Sequence, residues 1–299
     1  MTRRAPLPFE LAFRPFTVRQ ATEAGVSRSR LRANDLERPF RGVRSPVLAQ
    51  DAVDRCRAYA TRMPSAHAFS HVTAAELFGL PLPSMRESPL HVSALSGREP
   101  RMRGIVGHRL DASRIEIRSR QGVRTVSAAD AWCQLASMRG PAFSHDDLVA
   151  AGDRLLGWPR PLIRVEELDA AIDRHRGSRG TLARDRARRD IRPGSASRRE
   201  SLLRLDVIRR GFPEPECNGP IDLPTGRVYG DLVFRREKVL MEYEGDHHRT
   251  DTLQFARDLE RLSALASAGW IVIRVGARSN RERAFGDLAL ALASRSELA

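Results

Sequence analysis

The sequence predicts a mixed α/β chain in three parts: a small helical N-terminal unit, a middle α/β region, and a C-terminal α-β-β-β-α-β succession. Three observations carry this. Two adjacent apolar runs, Gly230–Phe234 and Val239–Gly245, carry three acids and read as paired strands whose successive residues alternate between faces. Helical spacing with a capping residue at the start and glycine at the end recurs at several points. A stretch at 174–196, punctuated by Gly177, Gly180, Pro193 and Gly194, separates the middle from the end of the chain.

At the N-terminus, Thr17 caps a helix over Val18–Ala24, Gly25 breaks it, and Ser27 caps a second helix from Arg28 to about Ala33. Ala21, Gly25, Val26 and Leu31 fall where a helix-turn-helix needs a small residue, a turn glycine and two core contacts. Pro39–Arg44 suits a hairpin wing. Residues 1–50 therefore read as a winged helix-turn-helix, with Arg28, Arg30, Arg32 and Arg41 as candidate nucleic-acid contacts.

Residues 51–173 read as the middle α/β domain. A helix ends at Gly79, strand-like runs follow at Leu90–Ala94, Gly104–His108 and Arg114–Ile117, and helices cover Ser127–Met138 and His145–Leu155. His67, His71, His91 and His108 lie in this region, but their spacing fits no metal template, so they are expected to be structural or surface residues. Residues 174–196 read as an arginine-rich linker whose Thr181–Asp190 segment forms a basic helix. Arg184 and Arg188 are its candidate phosphate contacts.

Composition limits the function classes. The net charge is +14, yet residues 197–299 are almost neutral, with 17 basic and 16 acidic side chains, while residues 174–196 hold 8 and 2. A polyanion would thus be held by the part of the chain before residue 197. No run of about 18 apolar residues exists to span a membrane, and the N-terminus lacks the apolar stretch of a signal peptide. Cys56, Cys133 and Cys217 are too far apart and too few for a disulfide framework or a zinc knuckle, and are expected to be buried thiols of a cytoplasmic protein.

The acids of residues 197–299 point to chemistry. If the two strands form a hairpin turning between Arg236 and Glu237, Asp231 stands opposite Glu242, with Cβ atoms about 4.5–5.5 Å apart. Glu242 and Glu244 share one face of their strand. Carboxylates so close repel unless a cation lies between them, and an oxygen-only donor set suits Mg²⁺ or Mn²⁺. Asp231, Glu242 and Glu244 are accordingly the candidate metal ligands and catalytic acids.

The ordered motifs Arg199-Glu200-Ser201-Leu202-Leu203-Arg204, Gly211-Phe212-Pro213, Gly230-Asp231, Glu242-Tyr243-Glu244-Gly245-Asp246-His247-His248, Arg257-Asp258 and Gly269-Trp270-Ile271-Val272-Ile273-Arg274-Val275 resemble PD-(D/E)XK-type domains related to very-short-patch-repair endonucleases. Residues 16–173 resemble, less specifically, the winged-helix and following region of AbiEi-type antitoxins of type IV toxin–antitoxin systems. The first resemblance implies a restriction-endonuclease-like domain at 197–299, Asp231 and Glu242 as metal-binding acids, and Glu200 as an added ligand. His247 or His248 would bind phosphate or carry protons. Glu244 stands where that family has lysine, so charge on the phosphate would fall to Mg²⁺ and a neighbouring arginine. The one lysine, Lys238, lies about 13 Å along the strand from Glu242 and does not replace it.

The expected function is metal-dependent hydrolysis of DNA phosphodiesters by an endonuclease, with RNA a weaker substrate expectation. One metal site per chain implies a homodimer or two successive nicks if both strands are cut. The alternative is a non-enzymatic, antitoxin-like DNA-binding regulator with a degenerate nuclease domain and a cognate toxin as partner.

Overall fold

The computed structural model describes residues 5–83, 88–138, 143–244, 252–276 and 279–296. The structure is mixed α/β, and the described residues form ten α-helices and three β-sheets. The chain divides into two compact units, Met1–Gly140 with Glu166–Thr181, and Pro141–Val165 with Leu182–Ala299. No helix among the described residues is long and apolar enough to cross a membrane.

The first unit begins with strand β1 (Phe16–Thr17) and helix α1 (Val18–Glu23). Thr17 is its N-cap: the hydroxyl accepts the Gln20 amide at 3.1 Å while the Gln20 side chain accepts the Thr17 amide at 2.8 Å. Gly25, at φ +77°, then turns the chain. The second helix expected here contracts to a single 3-10 turn, Arg30–Arg32. Ser27 Oγ does accept the Arg30 amide at 3.2 Å, but the chain leaves the turn at Ala33, whose backbone is extended. Arg30 is drawn instead onto Asp35 and the Ala5 carbonyl. The residues expected to form a wing do fold back, through a bridge between Glu37 and Ser45, but their strand β2 (Val43–Arg44) pairs with β1.

Helix α2 (Ala52–Ala60), strand β3 (His67–Phe69), helix α3 (His71–Phe78), strands β4 (Leu90–Ala94), β5 (Ile105–Arg109), β6 (Ile117–Arg120) and β7 (Val123–Val126), and helix α4 (Ala128–Leu135) follow. The five strands make one sheet in the order β5-β4-β3-β7-β6. Phe69, Leu77, Leu90, Val92 and Tyr59 fill its core. The strand expected at Arg114–Ile117 begins later, because Asp111 accepts the Ser113 amide at 3.0 Å and holds Ala112–Arg114 in a 3-10 turn.

Helix α5 (His145–Leu155) belongs to the second unit and α6 (Val165–Arg174) mainly to the first. The second unit continues with α7 (Thr181–Asp190), α8 (Arg198–Arg209), strands β8 (Glu216–Leu223), β9 (Gly226–Phe234) and β10 (Val239–Glu244), α9 (Thr252–Ser267), β11 (Ile271–Gly276) and α10 (Arg281–Ser296). The stretch read as a linker is thus partly packed structure: Ala187, Ile191 and Ser195 are buried. Acids on α5 hold arginines of α8 in three ion pairs, Asp147–Arg198, Asp153–Arg204 and Asp146–Arg209, which ties residues 141–165 to the C-terminal elements.

The second sheet runs β11-β10-β9-β8, with β8, β9 and β10 antiparallel in sequence and β11 parallel to β10. One set of apolar side chains, with Leu232, Met241 and Val275, packs on Leu203 and Val207 of α8 and on Phe285 and Leu288 of α10. A second set, with Val233 and Leu240, packs on Leu265 of α9. With helices on both sets, Leu232–Phe234 and Val239–Met241 are buried, whereas β8 keeps Glu216, Pro220 and Asp222 exposed.

Candidate functional site

The β9–β10 hairpin turns at Arg235–Lys238, with the Lys238 amide donating to the Arg235 carbonyl. Its pairs are Val239↔Phe234, Leu240↔Val233 and Met241↔Leu232. This is the register that would next set Asp231 opposite Glu242, but the ladder stops one residue short. Asp231 Oδ2 accepts the Tyr243 amide at 2.7 Å in place of a backbone acceptor. On the other side of β9 the β8 ladder skips Asn218, which stands at φ +46°. Gly230 precedes the acid because a Cβ there would lie 2.3 Å from Leu240 Cδ1. The strands open locally around Asp231, and that opening makes room for other groups.

Glu200, at N3 of α8, fills part of that room. It is 9% exposed, and its Oε2 accepts the Ala196 amide at 2.8 Å and the Asn218 side-chain amide at 2.9 Å. Glu242, the next acid of β10, is gripped through both oxygens by Arg261 of α9, with Nη1–Oε2 at 3.1 Å; Arg261 Nη2 also donates to the Tyr229 carbonyl at 2.8 Å. This pairing raises the Arg261 pKa. Tyr243 receives Arg199 at its hydroxyl and under its ring, with the guanidinium carbon 5.3 Å from the centroid.

Asp231 bears the cost of this crowding. Burial first, then the neighbouring Glu200 and Glu242 carboxylates, push its pKa up to about 7, against the Tyr243 amide and Arg261, which favour the charged form. Folding therefore favours the protonated acid, because the native state holds a proton that the unfolded chain has already lost. Between the ordinary carboxylate range and about pH 7, this group makes metal-free protein less stable as pH rises. In thermal melts in EDTA, Asp231→Asn is expected to lose that part of the pH dependence and to melt a few degrees above wild type at pH 8. Equal slopes in both proteins would show that Asp231 ionises normally.

The sequence-predicted residues divide clearly. Glu200 and Glu242 are near enough to Asp231 to bear on its charge, but the ligand oxygens of the three acids do not all lie within 4.8 Å of one another. Glu244 stands apart, with Oε1 on Arg274 Nη2 of β11 at 2.9 Å. Lys238 Nζ donates to the Ala268 carbonyl at 3.2 Å and is no part of the group. His247 and His248 lie outside the described residues. Of the arginines expected to meet nucleic acid, Arg28, Arg32 and Arg41 are exposed, and Arg188 is half-buried. Arg30 is committed to Asp35 at 2.8 Å. Arg184 is 1% exposed, so its side chain is not presented at the surface to a phosphate. Arg199 and Asn218 went unforeseen. Arg199 could have been inferred from its place beside Glu200, whereas nothing in the sequence marks the left-handed turn at Asn218.

An acidic group of this kind fits a hard divalent cation by its donor chemistry. Asp231 and Glu200 are oxygen donors in a largely buried position, while both Glu242 oxygens are held by Arg261, which a cation would have to displace.

No known family model matches the chain, and no solved structure matches it. Two curated proteins of Mycobacterium tuberculosis are similar to it, one from strain CDC 1551 / Oshkosh and one from strain H37Rv, both described as uncharacterized. Each is 28% identical over 114 residues, which is 36% of this chain and 41% of the relative. The likeness thus spans less than half the length of the curated relatives.

Proposed function

We propose that the protein is a metal-dependent endonuclease that hydrolyses DNA phosphodiesters at Asp231, Glu242 and Glu200. The observation that carries this reading is the opening of the ladders at Asp231, whose carboxylate takes the Tyr243 amide beside Glu200 and Glu242. Three acids share one half-buried place, and one of them is pushed to about 7 by burial and by the other two. An arrangement that costs stability is expected where function needs it, and strongly perturbed acids cluster at such sites. The order α8-β8-β9-β10-α9-β11, with β11 parallel to β10, supports a restriction-endonuclease-like core and the resemblance to PD-(D/E)XK-type domains.

In this reading Asp231, Glu242 and Glu200 hold Mg²⁺ or Mn²⁺. When bound, the ion would lower the pKa of a water and neutralise phosphate oxygens. The residues of the chain do the rest. The Tyr243 amide orients the Asp231 carboxylate. Asn218 and the Ala196 amide fix Glu200. Arg261 carries positive charge beside Glu242, the charge that Glu244 cannot supply where the family has lysine. Arg199, exposed and stacked on Tyr243, offers a further cation to a phosphate. Arg28, Arg32 and Arg41 of the first unit are the remaining candidates for holding the duplex, through sequence-independent phosphate contacts.

A second reading draws on the ion pairs. Arg261 occupies Glu242 and Arg274 occupies Glu244, as would suit a degenerate domain in an antitoxin-like, DNA-binding regulator. The two separate on substrate. With Mg²⁺, supercoiled plasmid is expected to be nicked, a linear duplex cut more slowly and RNA least, and EDTA is expected to stop all three. Salt-sensitive DNA binding with no cleavage of any of them would favour the regulator.

A further inference from the structure

The first unit gathers three histidines far apart in sequence. His91 lies on β4 and His108 on the parallel neighbour β5, in the register His91↔Val106 and Ser93↔His108, so both project from one face of the sheet. His71 opens α3, which follows β3 directly. His67 is excluded from the group by the same sheet: it pairs with Ala94, on the opposite face from Ser93 and His91. His91 Nδ1 and His108 Nε2 are 2.9 Å apart, and the His71 ring stacks on His108 with centroids separated by 3.7 Å. One nitrogen from each of the three rings lies within 4.8 Å of the others.

We infer that His71, His91 and His108 form a binding site for a divalent transition-metal ion of the zinc class. Three nitrogen donors on a tetrahedral ion with bonds of about 2.0–2.1 Å would stand about 3.3 Å apart; His91 Nδ1 and His108 Nε2 are 2.9 Å apart, and one nitrogen of each ring lies within 4.8 Å of the others. The rings are ready to donate lone pairs near neutral pH. Burial first, then the neighbouring imidazoles, hold His71 far below the usual histidine range, and burial and His108 bring His91 to about 4. His108 is lowered as well, by burial, against the charge of Glu99. Neutral imidazoles select zinc, copper or nickel over magnesium, which separates this site from the acidic one.

Surrounding groups fix the ligands. Ser93 donates to the Ser70 hydroxyl at 2.7 Å, and Ser70 Oγ meets His71 Nδ1 at 3.0 Å. Such outer contacts set ring orientation in metal sites. The His71 amide donates to Gln134 Oε1 at 2.8 Å, which holds a non-glycine residue at φ +51°. Backbone strain of that kind concentrates at functional sites. His91 is fixed from behind by its amide bond to Thr73 Oγ1 at 2.8 Å. His108 is half-buried, which leaves the ion a way in. His175, whose charge also bears on His71, is held away by Asp130 at 3.1 Å.

The experiment uses untagged full-length protein. Zinc content by mass spectrometry is expected to be about one ion per chain, and Co²⁺ titration is expected to give the strong visible absorption of a four-coordinate site. His91→Ala and His108→Gln should each weaken binding at least ~100-fold, since even outer-shell changes cost 10–100-fold. Zn²⁺ should raise the melting temperature of wild type and not of these variants. His145→Ala should bind like wild type. His108→Gln changes a partly exposed side chain, and its far-UV spectrum checks that it folds. Failure of wild type to bind Zn²⁺ or Co²⁺ at about 10 μM, or undiminished binding by a folded His108→Gln, would overturn the assignment.

Discussion

Replacing Asp231 by asparagine is expected to lower Mg²⁺-dependent nicking at least ~100-fold while leaving the protein as stable as wild type or more so. The two halves of this outcome have one cause. The asparagine oxygen can still accept the Tyr243 amide that Asp231 accepts at 2.7 Å, so the local geometry persists. What disappears is a negative charge that burial, Glu200 and Glu242 all disfavour. A residue kept only for structure would show the reverse, with stability lost and no activity to lose. The pH dependence adds a check on sign. Metal binding needs Asp231 ionised, so below about pH 7 the apparent Mg²⁺ affinity should fall roughly tenfold per pH unit, and it should level off above. An affinity that is flat from pH 5 to pH 8 would count against Asp231 as a ligand.

The largest stability effect is expected at Arg204. It is fully buried in α8, and its Nη2 reaches Asp153 Oδ2 of α5 at 2.9 Å and the Asp190 carbonyl at 2.7 Å. Asp153 is also fully buried and accepts the Arg192 amide at 2.8 Å. Burial raises the Asp153 pKa even against the pull of Arg204, so the pair only partly repays its desolvation. Arg204→Met should therefore destabilise the second unit by about 3–5 kcal/mol, because it strands a buried carboxylate. Changing both residues, Arg204→Met with Asp153→Leu, should recover much of that loss. Denaturant melts followed by Trp fluorescence would read both variants. If the double variant is no more stable than the single one, the cost lies in packing and not in charge.

Much of the second unit was legible from sequence because its signals are local. The apolar runs around Val233 and Leu240, the Ser197 cap with Glu200 at N3, and Gly269 after α9 each act within a few residues. The hairpin register followed from turn position alone. The break in the ladder at Asp231 did not, since it depends on Asn218 in a left-handed conformation on a neighbouring strand. Contacts across the chain were illegible for the same reason. Nothing local announces that Arg261 closes on Glu242, that Glu244 turns to Arg274, or that Arg184 points inward. The histidines show this most clearly. His91 and His108 sat on segments read as strands, yet only the parallel pairing of those strands brings their rings together. At the N-terminus the error ran the other way. Helix signals at Ser27 were present, but the chain turns extended at Ala33 and Arg30 pairs with Asp35.

The proposed chemistry turns on whether the acids of β9, β10 and α8 hold a cation that cuts a phosphodiester. The most direct measurement is the nicking rate of supercoiled plasmid by wild type and Glu242→Ala, each in Mg²⁺ and in EDTA. Cutting by wild type in Mg²⁺ alone, with Glu242→Ala slower by at least ~100-fold, is the expected result. Equal rates for the two proteins, or a wild-type rate unchanged by EDTA, would contradict it.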